Sequence, residues 1–116
     1  LQGIDFTRCN NLGLSVGFNE CLIRSCNFNF MELKKTEFQH CEISETDFVG
    51  CDLTQSSFAH SVLHSVTFHE TKLGKADFTD AQGYNINPLT NDIKGAKFSL
   101  PEAVSLLHSM GIKLSQ

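Results

Sequence analysis

The sequence predicts an all-β solenoid: a parallel β-helix with four sides to each coil, followed by a short C-terminal capping helix. Three observations carry that expectation. A large apolar residue recurs at every fifth position, residues twenty apart match in kind, and the pattern changes to helical spacing after residue 98.

Stepping by five gives Phe18, Ile23, Phe28, Leu33, Phe38, Ile43, Phe48, Leu53, Phe58, Leu63, Phe68, Leu73 and Phe78, none of them polar. Ile93 and Phe98 regain the same phase after an interruption. Two residues before each comes a smaller one: Val16, Cys21, Cys26, Thr36, Cys41, Thr46, Cys51, Ser56, Ser61, Val66, Thr71 and Ala76, with Met31 the large exception. The other three positions are mostly polar. Five residues advance a helix by about 500°, which scatters the apolar positions around its axis. On a straight strand an odd period sends successive large residues to opposite faces. Both elements fail. A backbone that bends once per quintet satisfies the pattern, with a short extended piece pointing two residues inward and three making the corner.

The number of sides follows from what matches at twenty. Phe18, Phe38, Phe58, Phe78 and Phe98 form one set, and Phe28, Phe48 and Phe68 a second. Leu33, Leu53, Leu73 and Ile93 form a third, and Ile23, Ile43 and Leu63 a fourth. Four quintets per coil place like above like, with Phe facing Phe across the interior. Coils spaced ~4.8 Å apart by parallel pairing let the rings stack offset. The small residues fall beside the corners, where a second large side chain does not fit. Cys21, Cys26, Cys41 and Cys51 are therefore read as small packing residues, with Cys21 stacked over Cys41.

Composition narrows the function classes. A formal charge of -4 gives no basic footprint for nucleic acid or an anionic membrane. Five cysteines without a CxxC pair fit neither zinc spacing nor a closed disulfide framework, and reduced thiols point to the cytoplasm. No nucleophile–base pair or phosphate-cradling glycine loop stands in the chain: Leu12-Gly13-Leu14-Ser15-Val16-Gly17 lacks the lysine such a loop needs. No residue is assigned to catalysis, a cofactor or a metal, and no enzyme activity is expected.

Cys51-Asp52-Leu53-Thr54-Gln55, Ala76-Asp77-Phe78-Thr79-Asp80 and Ala96-Lys97-Phe98-Ser99-Leu100 follow a small–x–[Leu/Phe]–x–x repeat. Over residues 4–98 the chain resembles the pentapeptide-repeat family. The resemblance implies a right-handed quadrilateral parallel β-helix, the hand also expected of parallel crossovers. The repeat domain is expected over 1–98, irregular at 7–17 and 82–92. In the first irregular stretch Phe6 is out of phase and Leu12-Gly13-Leu14 shifts the register. In the second Gly83 and Pro88 occupy large-residue slots, and Tyr84, Ile86 and Leu89 are expected as fillers. A stretch like 7–17 occurs in the fluoroquinolone-resistance (Qnr-like) branch, whose members bind DNA gyrase and topoisomerase IV.

Residues 99–116 are expected to form a helix and an extended tail. Ser99-Leu100-Pro101-Glu102 has the spacing of a capping box. Leu100, Ala103, Val104, Leu107 and Met110 form one apolar stripe, and Gly111 is a natural stop. The helix and Ile112–Leu114 are expected to cap the last coil. Family members also dimerise through this end, so the same stripe is a candidate subunit interface.

Two surface features have functional readings. Glu20, His40, His60 and Asp80 fall in one outward column, a weak metal site or pH-sensitive ladder as against polar corner decoration. His64, His69 and His108 have no convergent partner. Glu37, Glu42, Glu45, Asp47 and Asp52 crowd one stretch as a candidate acidic binding surface. In the Qnr-like branch an acidic rod imitates duplex DNA towards a topoisomerase. Here the carboxylates point several ways, and Lys34, Lys35, Lys72, Lys75 and Lys94 give one wall a basic edge. The expected function is a non-catalytic, bacterial, cytoplasmic protein-binding or scaffold protein. Alternatives are a Qnr-like, DNA-mimicking topoisomerase binder and a weak metal-binding protein.

Overall fold

A computed structural model describes residues 17–113. The register shift expected at 7–17, apart from its last residue, and the tail from 114 lie outside the described residues. The chain winds as a four-sided parallel β-helix. Its strands are β1 (Gly17–Asn19), β2 (Leu22–Arg24), β3 (Glu37–Gln39), β4 (Glu42–Ser44), β5 (Asp47–Val49), β6 (Val62–His64), β7 (Thr67–His69), β8 (Asp77–Phe78) and β9 (Lys97–Phe98), followed by helix α1 (Val104–Ser109). All strand pairs are parallel and join residues twenty apart. The partners include Phe18↔Phe38, Ile23↔Ile43, Ile43↔Leu63, Phe48↔Phe68 and Phe78↔Phe98. Isolated bridges carry the fourth side through Glu32↔Asp52, Asp52↔Lys72 and Lys72↔Asp92. The sides are named below by their first large residue: the Phe18, Ile23, Phe28 and Leu33 walls.

The interior is filled with rings. Phe18, Phe38, Phe58, Phe78 and Phe98 stack with centroids 4.7–5.1 Å apart and planes within 10° of parallel. Phe28, Phe48 and Phe68 form a second stack at 4.9 and 5.3 Å. The two columns meet edge to face, as between Phe48 and Phe58 at 5.7 Å and 86°. Stacking within a column and T-contacts between columns satisfy the ring quadrupoles together. The aliphatic residues of the other two walls are buried down to Leu73, each contributing about 1.5–3 kcal/mol.

Each quintet ends in a sharp corner. Among the described residues, twelve non-glycine residues have positive φ, and they recur in steps of five: Glu20, Ser25 and Phe30, through to Asp80. Eleven of the twelve are polar. The left-handed conformation costs a β-carbon-bearing residue roughly 1–2 kcal/mol, so each corner depends on what holds it.

Two kinds of corner result, closed and open. Where Ala76, Ala81 or Ala96 covers the corner, the backbone closes directly. Ser56, Ser61 and Ala76 N–H donate to the Leu53, Phe58 and Leu73 carbonyls at 3.0–3.2 Å. With positive φ at the third position, these are type II-like turns. Where Ser61, Thr71 or Asn91 covers the corner, the turn stays open and that side chain enters it. Cys41 N–H donates to Ser61 Oγ at 2.9 Å, and Ser61 donates on to the Phe38 carbonyl at 2.6 Å. Cys51 N–H, Thr71 Oγ1 and the Phe48 carbonyl repeat the relay, as do Thr71 N–H, the Asn91 amide and the Phe68 carbonyl. The small positions are therefore not inert fillers, as their size alone suggested. The thiols of Cys41 and Cys51 also donate, to the Phe18 and Phe28 carbonyls at 3.2 and 2.9 Å.

The last coil departs from the rule. At Gly83, a Cβ would fall 2.2 Å from the Leu63 carbonyl oxygen, and φ is +77°, so the slot cannot hold a large residue. Tyr84 and Ile86 are buried in its place, with the Tyr84 ring tilted between Phe78 and Phe98 at 5.6 and 5.5 Å. Leu89 does not fill the core, contrary to expectation: it is 70% exposed. The expected capping box does not form either. Ser99 Oγ accepts from Asp80 N–H at 3.1 Å and Glu102 Oε2 from Gly83 N–H at 3.0 Å, while α1 has no side-chain cap. Both side chains are committed to backbone donors of the preceding coil, which leaves none for the helix. The apolar stripe is corrected as well. Leu106 is the helix residue packed on the core, whereas Leu100, Leu107 and Met110 are exposed and Ala103 and Val104 half-buried.

Candidate interaction surface

A filled interior leaves chemistry to the outside, where every side chain has a place fixed by its wall and coil. The five acidic residues are dispersed by that geometry. Glu37 lies on the Phe18 wall, Glu42 on the Ile23 wall, Asp47 on the Phe28 wall and Asp52 on the Leu33 wall, with Glu45 at a corner. They ring one coil and form no single acidic face.

Asp52 is part of the scaffold. Its Oδ1 accepts from Thr54 N–H at 3.1 Å and Thr54 Oγ1 at 2.6 Å, and Lys34 Nζ lies 3.6 Å from its other oxygen. Partial burial works to raise its pKa, but the Thr54 hydrogen bonds and the charges of Lys34 and Lys72 hold the carboxyl below its ordinary value. Asp77 repeats the device. Burial opposes ionisation, and the Thr79 hydroxyl and amide, with Lys97 and His60, outweigh it. Asn27 and Asp92 likewise accept from the amides of Asn29 and Lys94.

The histidine column assembles in part. His40 and His60 stack with ring centroids 5.1 Å apart and planes at 7°, and His60 Nδ1 lies 3.6 Å from Asp80 Oδ2. Glu20 stands at the corresponding corner one coil earlier. Among the described residues, no group of three His, Cys, Asp or Glu side chains is placed to hold a metal ion. His64 is exposed on the Ile23 wall, and His69 Nε2 meets Glu70 at 3.4 Å. Cys26, Cys41 and Cys51 are free thiols. Burial raises the Cys41 thiol pKa and pushes that of Cys51 up to about 11, which makes both poor nucleophiles.

Two surface features stand out, and the sequence reading anticipated the first as a basic edge on one wall but missed the second. Charge is segregated by wall. Lys34, Lys35, Lys72, Lys75 and Lys94 stand with only three carboxylates on the Leu33 wall, whereas the other walls of the described coils carry eight carboxylates against Arg24 and Lys97. The second feature is Phe30. It is 78% exposed at φ +64°, the one apolar residue among the twelve left-handed corners. Its ring lies over Gly50, where a Cβ would come within 2.7 Å of Phe30 Cδ1. The cue in the sequence was a Phe in a corner slot with a glycine twenty residues on.

The pentapeptide repeat region family matches residues 21–98. This chain belongs to the pentapeptide-repeat family. Among solved structures it is similar to trypsin-treated QnrB1 R167E, a plasmid-mediated fluoroquinolone resistance protein, with a TM-score of 0.64 and 15% identity over 85% of this chain. It is also similar to HetL from the cyanobacterium Nostoc sp. strain PCC 7120, a pentapeptide repeat protein involved in heterocyst differentiation regulation, with a TM-score of 0.55 and 14% identity over 68% of this chain. The chain spans 58% of the QnrB1 structure and 31% of HetL. At such identities the likeness is one of fold. No curated protein matches the chain by sequence. No helix among the described residues is long and apolar enough to cross a membrane.

Proposed function

We propose that this pentapeptide-repeat protein is a non-catalytic scaffold of the bacterial cytoplasm that binds a protein partner through one wall of its β-helix. The observation that supports this most is the division of labour in the fold. The interior is occupied by stacked rings and aliphatic residues, while the outward side chains are held in fixed rows by the coils. A row of that kind presents a preordered surface, which lowers the cost of ordering side chains on association. The free thiols of Cys26, Cys41 and Cys51 fit a reducing compartment. Immobilised protein, compared with variants carrying charge reversals on one wall at a time, tests the reading. One variant losing a specific captured protein supports it; identical capture by every variant, or none by the native chain, refutes it.

A narrower reading draws on the similarity to QnrB1 over 85% of this chain: a topoisomerase-binding protein that protects gyrase from fluoroquinolones. Gyrase supercoiling measured with a fluoroquinolone and increasing protein tests it directly. Restored supercoiling supports the reading, and an unchanged inhibition curve removes it. Leu100, Leu107 and Met110, exposed at the C-terminal end, supply the apolar surface for a homodimer. Light scattering of native protein and Leu107→Glu tests that: a dimer that dissociates on substitution supports it, and a native monomer does not.

A further inference from the structure

We propose that the docking wall is the Leu33 wall with its Phe28-side edge, and that the partner segment it receives is an extended, acidic peptide strip with apolar anchors. This rests on the protein-binding reading and specifies the surface and the partner's chemistry. Phe30 marks one end of the edge. An exposed aromatic in a left-handed corner is unfavourable both sterically and in hydration. The ring is nonetheless 78% exposed, and Gly50 leaves the space it covers. Leu89, 70% exposed, marks the other end beside an open groove lined by Glu70, Lys72, Thr90 and Asp92.

The two apolar residues stand three coils apart, which at parallel-strand spacing is ~14 Å along the axis. An extended peptide covers ~13 Å between residues i and i+4, so two apolar side chains in that relation meet both ends. The wall beside this edge presents Lys35, Lys72, Lys75 and Lys94, all exposed, with the carboxylates Glu32, Asp52 and Asp92. Lys34 is engaged by Asp52. The middle of the wall is low, with Thr54 and Gly74 between the rows of lysines. Carboxylates on the incoming segment complement this wall, while the other three walls repel them. Interfaces of this composition place binding energy in the aromatic anchor and orientation in the charges.

The test uses a fluorescein-labelled glutamate-rich peptide with leucines at i and i+4, titrated with the full chain at low ionic strength and followed by anisotropy. A lysine-for-glutamate counterpart and a short oligo-dT serve as competing probes. The native chain binds the acidic peptide in preference to both. Lys72→Glu with Lys94→Glu weakens that binding about tenfold or more. Phe30→Asn weakens it several-fold while keeping the corner, since Asn tolerates positive φ. Glu42→Lys with Glu45→Lys, remote from the Leu33 wall, leaves it unchanged. The inference is overturned by no binding of the acidic peptide, by equal binding of the Lys72/Lys94 variant, by loss in the Glu42/Glu45 variant, or by preference for the basic peptide or oligo-dT. Capture of a protein partner that persists alongside any of these results rejects the wall assignment and leaves the scaffold reading standing.

Discussion

Corner 38–41 and corner 58–61 sit one above the other on the same wall, start from the same residue type, and are built differently. The upper turn at Phe58 closes on itself, with Ser61 N–H bonded to the Phe58 carbonyl at 3.2 Å. The turn at Phe38 is held open by the Ser61 hydroxyl, which bridges the Cys41 amide and the Phe38 carbonyl. The difference lies one coil on. Position 61 offers a hydroxyl to the corner beneath it, and position 81 is Ala, which offers nothing. A buried backbone pair must be satisfied, and the chain does so directly at Phe58 and through the Ser61 hydroxyl at Phe38. The same choice sets the strands: open corners flank the three-residue strands, and closed ones leave bridges or two-residue pairs.

Substitutions can break this comparison at several strengths. The largest effect comes from Phe48→Ala and Phe58→Ala, which head an open and a closed corner. Each is expected to lower unfolding free energy by about 3–5 kcal/mol in urea, because each takes a fully buried ring out of one of the two facing Phe columns. A gap between them larger than ~2 kcal/mol would show that corner type matters to the core. Thr71→Val comes next, at about 1–3 kcal/mol. It keeps the volume but orphans the Cys51 amide and the Phe48 carbonyl, and the added methyl blocks closure.

Acid distinguishes the corner types by another route. Asp52 and Asp77 precede closed corners, and both have lowered pKa values in the folded chain. Their contribution is therefore present above the ordinary carboxylate pKa of about 4 and is lost as pH falls through the lower folded values. Melting temperature should drop between pH 5 and 2, and the drop should shrink in Asp52→Asn with Asp77→Asn. An unchanged profile in that variant would locate the acid sensitivity elsewhere. Ser61→Ala should cost less than about 1 kcal/mol, since an alanine cover lets the lower turn close as the one above it does. Ser56→Ala should be neutral or gain a few tenths of a kcal/mol. That hydroxyl covers an already closed corner, and its oxygen is buried without a partner.

Much of this architecture was legible in the residues. The step of five, the match at twenty, and the facing Phe columns follow from side-chain size and period alone. The corner chemistry was hidden because Cys, Ser and Thr read equally well as small fillers, and only the coil above reveals which atoms they meet. The C-terminal end misled for a related reason. Ser99 and Glu102 have helix-capping spacing, but their nearest unsatisfied donors are Asp80 and Gly83 N–H, nineteen residues back in each case. On the surface, charge counts suggested an acidic stretch, yet a one-dimensional cluster spread over four walls when wound. The lysines did the reverse, and the match at twenty already placed them on one wall, whereas nothing in the charge pattern pointed to the exposed Phe30 ring.

The match at twenty also governs how such a chain can change length. Adding or deleting one quintet turns everything beyond it by a quarter revolution, so that Phe lands on Ile, and a serine meant for one turn lands on another. A change of four quintets restores every column and every relay. Indels within the rod should therefore be tolerated only in whole revolutions.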